Sequence, residues 1–314
     1  MSDSTRFNEQ YDELEKLGNG AFSTVYRGKD MATGKLVAIK VIEKTSCDYS
    51  SFKNEFLIQR EFESPYIIDL YSYFEDDDNF YMVMEYANAG ALFDIINQTT
   101  YSENDAATII QQVLIGLKVL HDNKIIHGDL KPENILLSID DETDEYTAKI
   151  SDFGLASIFT GEKKDLFQGT MTFEAPEIIE RKPYDPSIDM WSLGVIIYIL
   201  LSGDYPFESE DEHQLMKKIG SGDYDFSSYK WDDISDEGKD FISQLLQVNP
   251  KNRITIENAL KHPWITGNAP KVELSDLRTH LKKFNLQRKL KRVTNTAKSG
   301  LLLKKISQKK ISKA

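Results

Sequence analysis

The chain is organised around one stretch, which reads Ile126-His127-Gly128-Asp129-Leu130-Lys131-Pro132-Glu133-Asn134. A second motif, Asp152-Phe153-Gly154, begins eighteen residues after the first one ends. Asn134 and Asp152 offer the amide and carboxylate oxygens that a hard cation such as magnesium takes as ligands beside phosphate and water. The two motifs therefore predict a site where a metal ion and a phosphate meet.

The same stretch supplies groups that a phosphate transfer needs. Asp129 is a carboxylate that can orient a hydroxyl nucleophile and take its proton, and Lys131 can hold the phosphate. Together the motifs resemble the catalytic loop and the metal-binding turn of eukaryotic protein kinases. The ending Lys-Pro-Glu-Asn is similar to the serine/threonine branch of that family, in which a threonine corresponding to Thr170 orients the catalytic aspartate.

The composition is that of a soluble globular protein with one large two-lobed domain or two ordinary domains. The chain has 314 residues, of which 40% are hydrophobic and 28% charged. Cys47 is the only cysteine, which excludes an internal disulfide and a cysteine-based metal site. No signal-like segment opens the chain, and the most apolar run, residues 190–201, is too short to span a bilayer. We therefore expect a cytoplasmic setting.

Charge is divided unevenly along the chain, which the net charge of -13 conceals. Residues 271–314 hold 14 Lys and Arg against 2 Asp and Glu, a balance of +12. Residues 1–270 hold 24 against 49, a balance of -25. An acidic body with a basic tail predicts an electrostatic contact between the two, and a solvated tail that binds nothing is the alternative.

The family resemblance implies an α+β fold with two lobes. A small β-rich N-lobe carries helix C, and a larger helical C-lobe is followed by a C-terminal regulatory helix. On this basis residues 1–10 are predicted to be a flexible N-terminus and residues 11–266 the catalytic domain. The N-lobe is residues 11–86, the C-lobe is residues 87–266, and a basic autoregulatory tail is residues 267–314.

ATP and Mg²⁺ are the cofactors that the resemblance implies. In the family the lysine corresponding to Lys40 grips the first two phosphates, and Glu55, in a predicted helix near residues 49–62, holds that lysine. Asn134 and Asp152 hold the metal. The other residues of the predicted nucleotide site form the glycine loop, the hinge and the apolar walls, with one glutamate beside them: Leu17, Gly18, Asn19, Gly20, Ala21, Phe22, Ser23, Val25, Ala38, Met84, Glu85, Ala87, Glu133 and Leu136.

Two departures from the family pattern concern activation. Gly128 replaces an arginine that holds a phosphate on the activation segment of most regulated kinases, and Leu166 replaces the phosphorylated threonine of related kinases. The hydroxyl-bearing residues in the segment 155–169 are Ser157 and Thr160. We therefore predict that activity does not require phosphorylation of this segment.

Further departures concern helix C and the protein substrate. Gln59, one helical turn after Glu55, replaces an aliphatic residue of the family's internal spine, so we expect it to loosen the helix. Ala91 replaces a glutamate that reads a substrate arginine in many basophilic kinases, which leaves Glu133 to do part of that work. Residues 171–174 also depart from the pattern, so the pocket for the residue after the target is undefined.

Other residues are predicted to hold the site together. Ser102 and Asp105 form a capping box that begins a long helix leading to the catalytic loop. The resemblance implies that Asp189 braces the backbone of the loop. It also implies a buried ion pair between Glu177 and Arg253, which would be costly to break from one side.

The basic tail has two apolar stripes at helical spacing. One stripe is Leu277, Leu281 and Phe284. The other, on the opposite side of the predicted helix, consists of Leu286, Leu290, Val293, Ala297 and Leu301. A basic helix that is apolar on two faces can pack on its own domain and can also be wrapped by calmodulin.

Residues 281–291 resemble the autoregulatory segment of calcium/calmodulin-dependent kinases, and the resemblance to that group covers about residues 11–295. It implies calmodulin binding through about residues 277–303 and autoinhibition by contact of the tail with the C-lobe. Thr294 is then a candidate pseudosubstrate or autophosphorylation site. A solvated helix and attraction to a membrane surface are the alternatives.

The function that these motifs predict is an ATP-dependent serine/threonine protein kinase that acts on protein substrates and not on nucleic acid. The alternative from another class is a pseudokinase or nucleotide-binding scaffold. Such proteins usually lack one of the residues corresponding to Lys40, Asp129 and Asp152, and this chain has all three.

Overall fold

The structure of the chain is a computed structural model, which describes residues 3–20, 23–45, 49–96, 101–160, 171–274, 276–288 and 290. Within these residues a five-stranded sheet and two helices form an N-terminal lobe, and most of the helices form a C-terminal lobe with two small sheets. The predicted α+β fold class is confirmed.

The N-terminal sheet has the strand order β1-β2-β3-β5-β4, and all neighbouring strands are antiparallel. Helix α1 precedes it and helix α2 follows β3. Phe52 of α2 lies face to face with Phe80 of β5, with ring centroids 4.2 Å apart, so α2 packs on the sheet through aromatic contact. The bounds are α1 Asp3–Gln10, β1 Tyr11–Asn19, β2 Ser23–Asp30, β3 Leu36–Glu43, α2 Tyr49–Arg60, β4 Leu70–Glu75 and β5 Asn79–Glu85.

Residues 3–10, which lie in the predicted flexible N-terminus, form helix α1. Phe7 in this helix is buried, with its ring centroid 4.5 Å from that of Tyr81 and 5.6 Å from that of Phe74. One aromatic side chain therefore fastens a segment that is otherwise polar to the sheet. The polar composition of the segment conceals this contact.

The C-terminal lobe contains a three-stranded sheet of order β6-β8-β9 and a pair of strands, β7 and β10. The strands are β6 Gly90–Ala91, β7 Ile125–Ile126, β8 Ile135–Ile139, β9 Tyr146–Ile150 and β10 Ser157–Ile158. The α-helices are α3 Leu92–Ile96, α4 Glu103–Asp122, α5 Pro176–Ile179, α6 Ser187–Ser202, α7 Glu212–Ser221, α8 Asp236–Leu245 and α9 Ile256–Ala259. Shorter helical turns are Pro132–Asn134, Met171–Phe173, Tyr229–Trp231, Pro250–Asn252 and Trp264–Asn268, and a tail helix covers residues 276–288.

The long helices α4 and α6 form the centre of this lobe. The capping box is confirmed, because Ser102 Oγ accepts from the Asp105 amide and Asp105 Oδ2 accepts from the Ser102 amide at 2.8 Å. Helix α6 is apolar on all sides and is buried from Ile188 to its end, as expected for a core helix. Among the described residues, no helix is both long enough and apolar enough to cross a membrane.

The predicted ion pair between Glu177 and Arg253 is confirmed. Arg253 Nη1 lies 2.9 Å from Glu177 Oε1, and Nη2 lies 3.2 Å from Oε2, so the contact is bidentate. Arg253 also donates to the carbonyl oxygens of Ser187 and Gln247 at 2.7 and 3.0 Å. The pair therefore joins helix α5 to the start of α6 and to the chain after α8.

Candidate active site

Lys40 of β3 contacts both lobes. Its Nζ lies 2.6 Å from Glu55 Oε1 on α2 and 2.8 Å from Asp152 Oδ1, so the predicted pair with Glu55 is present. Burial alone would lower the pKa of Lys40, but the two carboxylates outweigh burial and raise the pKa above its ordinary value. The lysine is therefore charged and held in one position.

Asp152 lies in the cleft with a left-handed backbone, at φ 65°. Burial alone would raise the pKa of Asp152, but the nearby Lys40 ammonium outweighs it and lowers the pKa to about 2. The amide of Ser151, the preceding residue, donates to the Asn134 carbonyl oxygen at 2.8 Å. This backbone bond holds the two predicted metal-binding segments side by side.

The side chains of Asn134 and Asp152 fit a hard cation. Asn134 donates its amide nitrogen to Asp129, so the side-chain carbonyl oxygen is the atom that it can offer. Asp152 gives one carboxylate oxygen to Lys40 and keeps the other. One amide and one carboxylate oxygen form the donor set that Mg²⁺ uses when phosphate and water complete its shell.

The catalytic loop brings three predicted residues together. Asp129 Oδ2 accepts from Lys131 Nζ at 2.5 Å and from Asn134 Nδ2 at 3.2 Å. Asn134 Nδ2 also donates to the Asp129 backbone oxygen at 2.8 Å. A residue that accepts a hydroxyl proton must be held in position, and these bonds hold the Asp129 carboxylate in one orientation.

Asp189 of helix α6 supports the loop from below, as predicted. Its two carboxylate oxygens accept from the backbone amides of His127 and Gly128, each at 2.9 Å, and His121 Nε2 lies 2.9 Å away. Burial would raise the pKa of Asp189, whereas the bonds from His121 and from the backbone lower it. Gly128 has φ 74°, so a glycine suits this turn of the backbone.

The predicted apolar walls of the nucleotide site lie together at the junction of the lobes. Met84, Ala87, Ala38 and Leu136 belong to one hydrophobic cluster, and Ala38 faces Met84 in the β3–β5 ladder. Leu17 lies apart from that cluster and is 45% exposed. Apolar side chains next to the charged Lys40 suit a nucleotide base and its phosphates.

The described part of the glycine loop, residues 18–20 and 23, lies where β1 ends and β2 begins. Gly18 pairs with Val25 in the β1–β2 ladder, Asn19 ends β1, and the Gly20 amide donates to the Ser23 carbonyl oxygen at 2.7 Å.

The predicted residues Ala21, Phe22 and Thr170 lie outside the described residues, as do Leu166, Val293, Thr294, Ala297 and Leu301. Of the two hydroxyl residues predicted in the activation segment, Ser157 is buried in β10 and Thr160 is exposed.

Lys149 and Glu85 form a contact that the sequence prediction missed. Lys149 of β9 is only 8% exposed, and its Nζ lies 3.0 Å from Glu85 Oε1 at the end of β5. The pair joins the predicted hinge to the C-terminal lobe. One feature of the sequence could have predicted it: Lys149 stands between Ala148 and Ile150 in a predicted strand, and a lysine buried there needs a carboxylate partner.

The tail helix packs against the C-terminal lobe through its first apolar stripe. Leu277, Leu281 and Phe284 are all buried. The Phe284 ring centroid lies 4.8 Å from that of Tyr205 and 5.6 Å from that of Phe93 on helix α3. Leu286 and Leu290 of the second stripe are 61% and 57% exposed. The two stripes predicted from spacing thus differ in burial over the described part of the tail.

Polar contacts bring the end of the tail helix to the catalytic loop. Asn285 Nδ2 donates to the Phe93 carbonyl oxygen at 3.2 Å and to Asp94 Oδ1 at 3.0 Å. Arg288 Nη1 lies 3.6 Å from Glu133 Oε1, and its guanidinium lies over the Phe93 ring at 5.4 Å. The sequence prediction named Glu133 and the basic tail separately but did not pair them.

Comparison with known proteins supports the resemblance to protein kinases. A sequence model of the protein kinase domain matches residues 11–265. A probable myosin light chain kinase of Dictyostelium discoideum is 42% identical over 278 residues, which are 87% of this chain and 71% of the relative. The alpha chain of calcium/calmodulin-dependent protein kinase type II of Drosophila melanogaster is 41% identical over 296 residues, or 91% of this chain and 56% of the relative. The type II delta subunit of Oryctolagus cuniculus is also 41% identical over 296 residues, which are 91% of this chain and 55% of the relative.

The chain belongs to the protein kinase family, and its relatives place it among the serine/threonine kinases of the calmodulin-dependent kinase group. Protein kinase domains in general use ATP and Mg²⁺. The chain spans little more than half of the length of the type II kinases that it matches, at 55% and 56%.

Proposed function

We propose that this protein transfers the γ-phosphate of ATP to serine and threonine hydroxyls of protein substrates in the cytoplasm. The observation that carries the proposal is the convergence of Lys40, Asp152 and Asp129, which come from a strand, a turn and a loop. The backbone bond from Ser151 to Asn134 joins the turn to the loop at 2.8 Å. Charged groups fixed in this way are suited to a reaction that depends mainly on positioning and charge neutralisation.

In this proposal the nucleotide lies in the cleft between the lobes. Its base lies against the apolar walls and bonds to the backbone of Glu85 and Ala87, and Lys40 holds the α- and β-phosphates. Asn134 and Asp152 hold Mg²⁺, which when bound neutralises phosphate charge. The ionised state of Asp152 at neutral pH supports this role.

The chemical step follows from the loop geometry. The substrate hydroxyl oxygen forms a bond to the γ-phosphorus while the bond from that phosphorus to the ADP oxygen breaks. Asp129 orients the hydroxyl and accepts its proton, and Lys131, 2.5 Å from Asp129, holds the phosphoryl oxygens. Glu133, in the adjoining turn Pro132–Asn134, is a carboxylate that can read a basic residue of the substrate.

The experiment that tests this activity is transfer of labelled γ-phosphate to a generic basic peptide. We expect Asp129→Asn to lower kcat roughly 10²–10⁴-fold, because the proton acceptor is lost. Asp141→Asn, in an exposed turn, is the matched control and should keep full activity. If the unaltered chain with Mg²⁺ and ATP transfers no phosphate even after removal of its tail, the kinase proposal fails and a nucleotide-binding scaffold replaces it.

We also propose that the tail inhibits the kinase and that calcium-calmodulin relieves the inhibition. The burial of Phe284 supports inhibition because it fastens the tail to the C-terminal lobe. The approach of Arg288 to Glu133 supports it because Glu133 is the carboxylate proposed to read a basic residue of the substrate. The exposure of Leu286 and Leu290 supports a second partner, since exposed leucines on a basic helix suit calmodulin. Residues 277–303 would form the binding segment.

Truncation separates this proposal from its alternatives. A chain that ends at Gly267 should have higher calcium-independent activity than the full chain, and a peptide of residues 275–303 should bind calmodulin only with calcium. If truncation changes nothing and the peptide does not bind, autoregulation is excluded. Binding of the full chain to vesicles that contain phosphatidylserine, without calmodulin binding, would favour a membrane-surface role for the tail instead.

A further inference from the structure

Gln59 of helix α2 is buried and bonded in a way that the sequence prediction did not foresee. It is only 2% exposed, and its Nε2 donates to the Ile68 carbonyl oxygen at 3.0 Å and approaches Met84 Sδ at 3.5 Å. A buried amide is costly unless it is hydrogen-bonded. These contacts explain how a glutamine is accommodated at a position where an aliphatic residue is expected.

The acceptor of this bond belongs to a segment that is itself tied to the metal-binding turn. The Ile68 amide donates to the Ile150 carbonyl oxygen, and the Ile150 amide donates to the Tyr66 carbonyl oxygen, both at 2.9 Å. Ile150 ends β9 and stands two residues before Asp152. Gln59 therefore links helix α2, through one backbone segment, to the strand that carries Asp152.

The position of Gln59 on the helix gives this link a mechanical consequence. Gln59 and Glu55 are four residues apart, so both side chains lie on the same face of α2. Glu55 holds Lys40, and Asn54 on the neighbouring face donates to the Ala156 carbonyl oxygen at 3.0 Å. Gln59 adds a tether one turn after Glu55 on the same face, and this tether opposes rotation of that face away from Lys40.

We propose that Gln59 is a positioning residue, which holds helix α2 in the rotation that lets Glu55 meet Lys40. It contributes a tether that does not depend on the activation segment, in a chain with glycine at position 128. Its contact with Met84, which faces Ala38 across the β3–β5 ladder, extends the same support to the back wall of the nucleotide site. The kinetic part of this proposal rests on the proposed kinase function, and its structural part does not.

Hydrogen exchange tests the structural part in the full chain. Gln59→Met keeps the length of the side chain and the helix propensity but removes the donor. We expect amides of residues 49–60 to exchange about fivefold faster, because a net hydrogen bond is worth about 1 kcal/mol. The control is Gln247→Met, which removes a glutamine bond of 2.8 Å to the Ser243 carbonyl oxygen in the C-terminal lobe. It should leave exchange in residues 49–60 unchanged.

Steady-state kinetics test the positioning role. Gln59→Met and a second variant, Gln59→Leu, should lower kcat and raise KM for ATP, because Lys40 and Glu55 are held less firmly. The KM for the peptide should not change, since the peptide binds elsewhere. Variants that equal or exceed the parent chain in kcat, or unchanged exchange in residues 49–60, would overturn the proposal. If the parent chain transfers no phosphate even after removal of its tail, the kinase function fails, and the exchange result still decides the role of Gln59.

Discussion

Lys40 and Asp152 are 112 positions apart in the sequence, yet Lys40 Nζ and Asp152 Oδ1 lie 2.8 Å apart. Because Lys40 also holds Glu55 at 2.6 Å, a strand, a helix and a turn are joined by one ammonium group. The charges that would meet a nucleotide are thus paired with one another in the folded chain. The stability of the fold and the positions of the charged side chains in the site depend on the same contacts.

The first prediction concerns acid. The pKa of Asp152 in the folded chain is about 2, below the ordinary value of about 3.9, so its ionised form stabilises the folded state. This contribution is fully present above about pH 4 and is lost as the pH falls through about 2. Asp152→Asn removes it. The difference in unfolding free energy between parent and variant, from urea titrations at pH 6 and pH 3, should therefore shrink at pH 3.

A difference that is the same at both pH values would contradict the assignment of the low pKa to Asp152. A difference that grows on acidification would contradict the sign of the linkage as well.

The second prediction concerns the pair of Lys40 with Glu55. Glu55→Gln leaves a buried ammonium with one carboxylate instead of two, and we expect a loss of about 3 kcal/mol in unfolding free energy. The control is Glu75→Gln, since Glu75 pairs with Lys44 at 3.0 Å in a more exposed place. It should cost less than about 1 kcal/mol. Equal losses in urea titrations of the two variants would show that burial of the first pair has no energetic effect.

The third prediction concerns Gly203, the C-cap of helix α6, which has φ 71°. A Cβ there would lie 2.7 Å from His280 Cβ and 3.0 Å from the His280 carbonyl carbon of the tail helix. Gly203→Ala should therefore displace the tail and raise calcium-independent kinase activity. It should also cost about 1 kcal/mol in stability because of the left-handed backbone.

Gly222 supplies the matched control for this variant. It is the C-cap of helix α7 with φ 63°, and a Cβ there would meet the exposed side chain of Val248 at 2.9 Å and no atom of the tail. Gly222→Ala should have a similar melting temperature to Gly203→Ala but the basal activity of the parent chain. If both variants, or neither, have raised basal activity, the contact of Gly203 with the tail does not control the kinase.

The fourth prediction separates the two faces of the tail helix. Phe284→Ser removes the ring that packs on Tyr205 and Phe93, so basal activity should rise toward that of the chain ending at Gly267. Leu286→Ser changes an exposed residue of the same helix and should leave basal activity low. It should instead weaken activation by calcium-calmodulin roughly tenfold, because a leucine that the partner would bury is lost.

Activity assays across a calmodulin titration measure both effects at once. Raised basal activity in Leu286→Ser, or unchanged basal activity in Phe284→Ser, would contradict the assignment of the faces.

The parts of the fold that follow from short-range patterns could be predicted from the sequence. The capping box at Ser102 depends on a residue three positions away, and the apolar run 190–201 shows a core helix by its composition alone. The pairing of Lys40 with Glu55 could be predicted only through the family motif, because nothing local relates a strand residue to a helix residue. The family motif relates these two positions, whereas no local property of either residue does.

Other contacts could not be predicted, because no sequence pattern indicates which two groups meet. The partner of Gln59 is a backbone carbonyl oxygen, at Ile68, and every residue has one. Arg288 meets Glu133 only after the tail has folded back on the lobe, which spacing within the tail does not report. Phe7 is one aromatic residue in a polar segment, so neither composition nor periodicity indicates its burial.

A crystal structure of the chain with Mg²⁺ and a non-hydrolysable ATP analogue tests the convergent site most directly. We predict the metal on Asn134 and Asp152, Lys40 on the α- and β-phosphates, and Asp129 with Lys131 facing the γ-phosphate. A nucleotide bound outside the cleft, or a metal held without Asp152 and Asn134, would contradict the account.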